Sequence, residues 1–324
     1  MELLDLPFSD LFVASTVESS WISGGGIDGG HSIPEELVPE AIRLRGFLRE
    51  EQSKAPGQSF RVEWGTARKE LLRVRPQVTA KESPLFMCRR LLPFPLPLHE
   101  LGMPKQIINL LFDKPIPAGL ILFCGEMGAG KTTMASSYVV EYVSRHGLVA
   151  MTAEVPPELN IEGSHGNRGG RIYQAQVESE EAKPALLRAF LRSSARLIFD
   201  GEIVSPESAA ACQKLSATGQ HVISTFHASD PITALIRFSA MAGNNNVELS
   251  RIIVAVFHLE LRPRQIIGES IATAISPRIQ KVTPLLFMGE GEKQMRSAVS
   301  DGTWSALEND IDRQRRRLLH GGAL

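Results

Sequence analysis

The chain has 324 residues and a formal net charge of −1, so no overall electrostatic field draws it to nucleic acid. Hydrophobic residues make up 43% and aromatic residues 6%, which predicts aliphatic cores in about two domains. Cys88, Cys124 and Cys212 lack metal-ligand spacing and fit a reduced, cytoplasmic setting. The longest apolar run, Ile252–Phe257, is too short to cross a bilayer, and acidic Glu2 and Asp5 argue against a signal peptide. Membrane association is expected only at the periphery or through a partner.

Up to about residue 92 the pattern is that of a small α+β domain. Leu11–Ala14 reads as a strand, and Ser23–Gly30, with five glycines in eight residues, as a flexible loop. Glu35–Glu51 reads as an amphipathic helix, with Leu37, Ile42 or Ala41, Leu44 and Leu48 near helical spacing. Ser59–Trp64 and Glu70–Arg75 alternate like paired strands. Pro93–Pro97 then predicts an extended linker, over residues 93–104, because proline continues neither a helix interior nor a central strand.

From residue 105 to 324 strands and helices alternate. Strands are expected at Gly119–Cys124, Leu148–Glu154, Arg171–Val177, Arg196–Ile203 and His221–His227. Helices are expected at Lys131–Arg145, Glu181–Ser193, Pro206–Ala217 and Pro231–Ala242. Such alternation calls for a parallel sheet covered on both faces. Val247–His258 and the basic segment Ser305–Leu319 read as further helices. No internal repeat is present.

Residues Gly125, Glu126, Met127, Gly128, Ala129, Gly130, Lys131 and Thr132 match the phosphate-loop template between the first of these strands and its helix. Backbone N–H groups of such a turn can cradle phosphate oxygens, and Thr133 follows in the first helical turn. Lys131 reaches the outer phosphates in this scheme, and the Thr132 hydroxyl ligates Mg²⁺. A turn whose glycines serve only tight packing is the alternative.

A bound triphosphate also needs acids on the opposite side. The strand ending Phe199-Asp-Gly-Glu202 supplies two at the sheet's carboxyl edge, where ligands bind in open α/β sheets. Glu202 suits water activation, and Asp200 suits the metal's hydration shell. Glu154 and Glu158 bracket Val155-Pro-Pro157, and His227 ends a strand with Ser224 and Thr225. Each of these also has a structural reading: a solvated strand end, a proline turn, a satisfied histidine.

The order of these segments resembles the secretion and pilus motor ATPases, which include type II secretion, type IV secretion traffic and pilus-retraction ATPases. Gly125–Thr132 stands as Walker A, and Thr152–Glu158 is similar to the acidic box of that family. Gly201–Ala209 is similar to the segment from the Walker B glutamate onward, and Thr218–His227 to the histidine box. Ala234–Arg237 resembles the arginine-bearing helix that follows. Upstream, Phe8–Phe12, Ser59–Val62 and Leu98–Met103 resemble family segments in the same order.

The resemblance implies an α/β fold, with a RecA-like P-loop ATPase domain behind a smaller N-terminal α+β (PAS-like) domain. It implies ATP and Mg²⁺ as cofactors and Glu202 as the catalytic carboxylate. Glu154 would support metal or water, and His227 would link nucleotide state to domain position. Arg61 is the best match for an N-terminal arginine that reaches the phosphates, with Arg89 or Arg90 second; an ion pair across neighbouring strands is the alternative for Arg61. A cytoplasmic hexamer working with inner-membrane components of a type IV secretion, conjugation or pilus machine follows, without nucleic acid. Five positions depart from the family: Val155 and Ser205 lack its carboxylates, Val204 replaces an arginine, Gln220 replaces a histidine, and Asp200 stands where an apolar residue is usual. These departures fit slow turnover and a divergent conjugation or Dot/Icm-type branch. An ATP-binding scaffold with little hydrolysis, or a nucleic-acid translocase using Arg313–Arg317, are the alternative functions.

Overall fold

The computed structural model describes residues 2–6, 8–16, 18–24, 27–54, 59–66, 69–80, 84–91, 95–262 and 279–320. Part of the expected glycine loop (residues 25 and 26) and of the proline linker (residues 93 and 94) lies outside these. The described residues before 92 form one compact unit, and those from 95 onward the other.

In the first unit, strands β1 (Asp10–Val13), β2 (Trp21–Gly24) and β3 (Ile27–Ser32) precede helix α1 (Val38–Lys54). Strands β4 (Phe60–Trp64), β5 (Glu70–Val78) and β6 (Pro84–Arg90) follow, giving an antiparallel sheet in the order β3-β2-β1-β6-β5-β4. The glycine-rich stretch expected as a flexible loop is instead mostly strand: β2 and β3 pair across it with a register shift near Gly24. Alternation places Leu11, Val13, Leu72, Val74, Phe86 and Cys88 on one face, in a common core with Ala41, Leu44 and Leu48 of α1. Ala41, not Ile42, is the inward residue of the helix; Ile42 is 47% exposed. The opposite face carries charge, and one row of it runs Arg61–Arg73–Arg89–Asp10 across four strands in register.

The second unit opens with α2 (Lys105–Phe112), β7 (Gly119–Gly125), α3 (Lys131–His146) and β8 (Val149–Glu154). Next come β9 (Gly163–His165), β10 (Gly170–Gln176), α4 (Lys183–Phe190), β11 (Leu197–Asp200), α5 (Pro206–Ala217) and β12 (His221–Phe226). The last elements are α6 (Pro231–Met241), α7 (Asn246–Ile252), β13 (Ile253–Arg262), β14 (Ile279–Leu286), α8 (Glu292–Asp301) and α9 (Leu307–Leu319). The eight strands run β14-β13-β7-β12-β11-β8-β10-β9. The inner six pair in parallel, and β14 and β9 close the edges antiparallel.

Every residue of β7, β11 and β12 is buried, as expected of strands covered on both faces. Ile121, Phe123, Leu197 and Phe199 pack with Met134, Ala135 and Tyr138 of α3. Leu120, Leu122, Ile198 and Val222 pack on the other side with Leu187 of α4 and Leu215 of α5. The expected helix Val247–His258 is corrected: it breaks after Ile252, and Ile253–Arg262 enters the sheet beside β7. Its unbroken apolar run from Ile252 to Phe257, rich in β-branched residues, suits a buried strand, which periodicity alone does not separate from a buried helix. At one edge, the Gln314 side chain of α9 bonds both the N–H (2.9 Å) and the C=O (2.8 Å) of Leu286 in β14.

Candidate functional site: the carboxyl edge of the central sheet

Parallel register brings the ends of four strands to one edge. Cys124 is level with Phe226, Ser224 with Asp200, and Asp200 with Ala153. The residues that follow, Gly125, His227, Gly201–Glu202 and Glu154, therefore share the edge where open α/β sheets bind ligands.

Gly125 leaves β7 with φ +152°, and a Cβ there would meet the Leu259 carbonyl oxygen at 2.6 Å and Ala129 Cβ at 3.0 Å. The turn can therefore lie flat on β13 only with glycine at this point. Gly130 caps α3 in the left-handed conformation (φ +82°), and it offers no side-chain cap to the first helical turn. Open space faces Gly128, where a Cβ would touch nothing within 4 Å. A cleft of about 520 Å³ beside the loop is lined by residues 126–129, Ser229 and residues 258–261. Met127, at the tip, is 87% exposed. The cradle thus combines a glycine-rich turn, a helix N-terminus without a side-chain cap and room for an anion, which fits a polyphosphate.

Lys131 lies over this loop. Its ammonium donates to the carbonyl oxygens of Gly125 (3.2 Å) and Glu126 (2.9 Å) and lies 3.4 Å from Nδ1 of His227. His227 Nε2 is in turn 2.8 Å from Oε1 of Glu202. One neutral tautomer satisfies both contacts, with Nε2–H donating to Glu202 and Nδ1 accepting from Lys131. Burial pulls the Lys131 pKa below the ordinary lysine value, while Glu202 and Glu158 act in the opposite direction. Three expected site residues, distant in sequence, thus form one chain of contacts at the mouth of the loop.

Glu154 is buried against the neighbouring turn, where a Cβ on Gly201 would come within 3.0 Å of its Cγ. Gln174 of β10 donates to its Oε1 at 2.8 Å. Behind His227, the Arg237 guanidinium donates to the His227 carbonyl and lies over the Phe226 ring.

The expected metal role of Asp200 is corrected. Strand alternation turns its side chain to the α4–α5 face, away from α3 and Thr132, and it is fully buried there. Lys183 Nζ lies 3.1 Å from Oδ1, and the Cys212 thiol donates to Oδ2 at 3.4 Å. Burial pushes the Asp200 carboxyl up to about 6, against the pull of Lys183. Burial also works against the Lys183 charge, but Asp200 and Glu180 outweigh it and raise its pKa. Lys183 was not among the residues expected at the site. Its signal was a lysine on the buried stripe Lys183–Leu187–Phe190 of α4.

Arg61 belongs to the first unit. It stands directly opposite Arg73, whose other neighbour in register is Arg89. Arg89 pairs with Asp10 at 2.8 Å and Arg90 with Glu70 at 2.8 Å. No carboxylate among the described residues pairs with Arg61. In the C-terminal basic run Arg313 pairs with Asp310 at 2.6 Å, and Arg317 pairs with Glu290.

A family described as type II/IV secretion system protein matches residues 88–297. The HofB homolog of Haemophilus influenzae, a protein transport protein, is 32% identical over 154 residues, which is 46% of this chain and 31% of that protein. The chain therefore spans about a third of the length of this curated relative. The crystal structure of the pilus retraction motor PilT with bound ADP superposes with a TM-score of 0.72 at 19% identity, over 99% of this chain and 92% of PilT. The ATPase DotB of Legionella pneumophila gives 0.71 at 17% identity, over 98% and 89%. At such identities the superpositions establish a shared fold, a RecA-like domain with an N-terminal domain. Among the described residues no helix is long and apolar enough to cross a membrane. With a family match that covers well over half of its length, the chain belongs to the type II/IV secretion system protein family.

Proposed function

We propose that this protein is an ATP-hydrolysing motor of a secretion or pilus apparatus. The observation that carries this is the contact chain Lys131–His227–Glu202 at the mouth of a glycine cradle open to an anion. Gly125–Gly130 would receive the phosphates on backbone N–H groups, Lys131 would turn from the loop carbonyls to the outer phosphates, and Thr132 would hold Mg²⁺. Bound Mg²⁺–ATP supplies the phosphoanhydride to be cleaved and a cation that offsets its charge. Glu202 accepts a proton from, or orients, the attacking water, and His227 fixes its carboxylate. Glu154, held by Gln174, supports the same edge. His227 joins the phosphate end of the site to Arg237, which suits it to report nucleotide state.

The unit before residue 92 is proposed as a PAS-like domain, and the unit after 105 as the motor. Arg61 is proposed to complete a neighbouring protomer's site, which leads to a ring of six. The register of Arg61 opposite Arg73, two cationic residues on one face of the sheet, supports this by making that face attractive to an anion. The ring would work in the cytoplasm against inner-membrane components of a type IV secretion, conjugation or pilus machine, with no nucleic acid partner. The paired arginines of α9 support that last point.

One observation favours a second reading. With Asp200 withdrawn into its ion pair, and valine at 155 and serine at 205, few carboxylates surround the metal position. An ATP-binding scaffold with little turnover would have this composition. Phosphate release by the purified ring decides between the two. Lys131→Ala and Glu202→Gln should each lower turnover by roughly 10²–10⁴. Equal rates in both variants and wild type overturn the motor assignment.

A further inference from the structure

We propose that Lys183 is a positioning residue for Glu202: from a buried ion pair with Asp200, it fastens the backbone turn that carries the glutamate. This rests on the motor assignment above for what Glu202 does, but the clamp itself is visible in the packing. Lys183 projects from α4 into the space beneath the end of β11, and its side chain is 1% exposed. Its ammonium makes three contacts there: Asp200 at 3.1 Å, Glu180 at 2.7 Å, and the backbone carbonyl of Glu202.

The turn 201–203 is fastened at three further points. Gly201 N–H donates to the Ala153 carbonyl at 3.0 Å, and Ile203 N–H to the Thr225 carbonyl at 3.0 Å. The Thr225 hydroxyl donates to the Gly201 carbonyl at 2.7 Å. These bonds fix the residues on either side of Glu202. Lys183 alone, among the described residues, bonds the Glu202 main chain. The glutamate side chain, by contrast, is 35% exposed and meets His227 at 2.8 Å. Its aim is set by that contact at one end and by the peptide behind it at the other.

A buried lysine and aspartate in a largely apolar layer need a reason. Two apolar side chains of similar volume would fill the space with no desolvation cost, and buried ion pairs rarely add stability over such a replacement. What the apolar pair could not do is donate a hydrogen bond to the Glu202 carbonyl. Asp200 and Glu180 keep Lys183 charged and aimed, and Cys212 satisfies the other Asp200 oxygen.

The experiment uses the full chain and the double variant Lys183→Met/Asp200→Leu, which exchanges the pair for apolar side chains and leaves no lone buried charge. Peptide-resolved amide exchange and steady-state ATP hydrolysis are measured on it and on wild type. Exchange across 201–204 should rise about tenfold or more while α4 keeps its protection, with the melting temperature near that of wild type. The kcat should fall about tenfold or more with KM for ATP changed less than about twofold. A folded double variant with wild-type exchange in the turn, or with a loosened turn and undiminished kcat, overturns the proposal. So does loss of protection spread evenly over α4 and the turn, the mark of a merely structural role. Glu202→Gln run alongside separates the two readings: if it keeps wild-type turnover the motor assignment fails, and amide exchange alone then judges the clamp.

Discussion

The two sheets of this protein solve different problems with similar strands. The eight-stranded sheet is buried on both faces at its centre, where β7, β11 and β12 are rich in Leu, Ile, Val and Phe. The six-stranded sheet buries alternate residues against α1 and places arginines on its other face. Two-sided burial holds strand ends in fixed register, so that residues from β7, β11 and β12 can meet within hydrogen-bond distance. One-sided burial leaves a second face that carries charge. The proposed function accordingly uses an edge of the first sheet and a face of the second.

The sharpest way to break this contrast is to hollow the two-sided layer. Phe199→Ala removes a fully buried ring beneath α3 and should cost roughly 3–5 kcal/mol, read from urea unfolding. A loss below about 1 kcal/mol would mean that the layer collapses easily and is no rigid frame.

A second test uses acid. His221, level with Gly119 in the same layer, is fully buried with Nε2 3.0 Å from the Tyr138 hydroxyl. Burial depresses its pKa from 6.5 to about 3. Between these values the unfolded chain binds a proton that the folded chain refuses, so this contribution to stability is full above 6.5 and is lost as pH falls towards 3. The slope approaches about 1.4 kcal/mol per pH unit and should vanish in His221→Gln. Unfolding midpoints measured in both proteins over that range check it; parallel curves refute the buried neutral imidazole.

The smallest expected effect belongs to the one-sided sheet. Arg61→Ala relieves a like-charge pair with Arg73, so stability should stay level or rise by about 0.2–1 kcal/mol. Turnover of the assembled protein should nevertheless fall. A destabilised variant with unchanged turnover would make Arg61 a structural residue and remove the proposed division between edge and face.

Much of this was legible in the sequence. Gly125–Thr132 announced its strand, turn and helix because glycine, lysine and hydroxyl must stand at those spacings to do that job. Glu202, Glu154 and His227 were legible as polar residues ending apolar strands. The path of Val247–His258 was not, since a fully buried strand and a buried helix share the same unbroken apolar run. Ser23–Gly30 failed for a different reason: glycine composition argues for a loop, yet pairing with β2 overrides it. Asp200 misled because a strand-end acid looks the same whichever face it points to. Counting from Ile198 in steps of two assigns it to the α4 face, and the lysine on the buried stripe of α4 then identifies its partner.

The amide of Gln314 imitates a neighbouring strand, offering Leu286 the donor and acceptor that another peptide would bring. At that point a stray chain finds the outer strand's polar groups already taken. A helix has thereby ended a ladder that would otherwise invite copies to stack. Assembly that avoids indiscriminate clumping at this border must proceed through shape and side chains elsewhere on the protein.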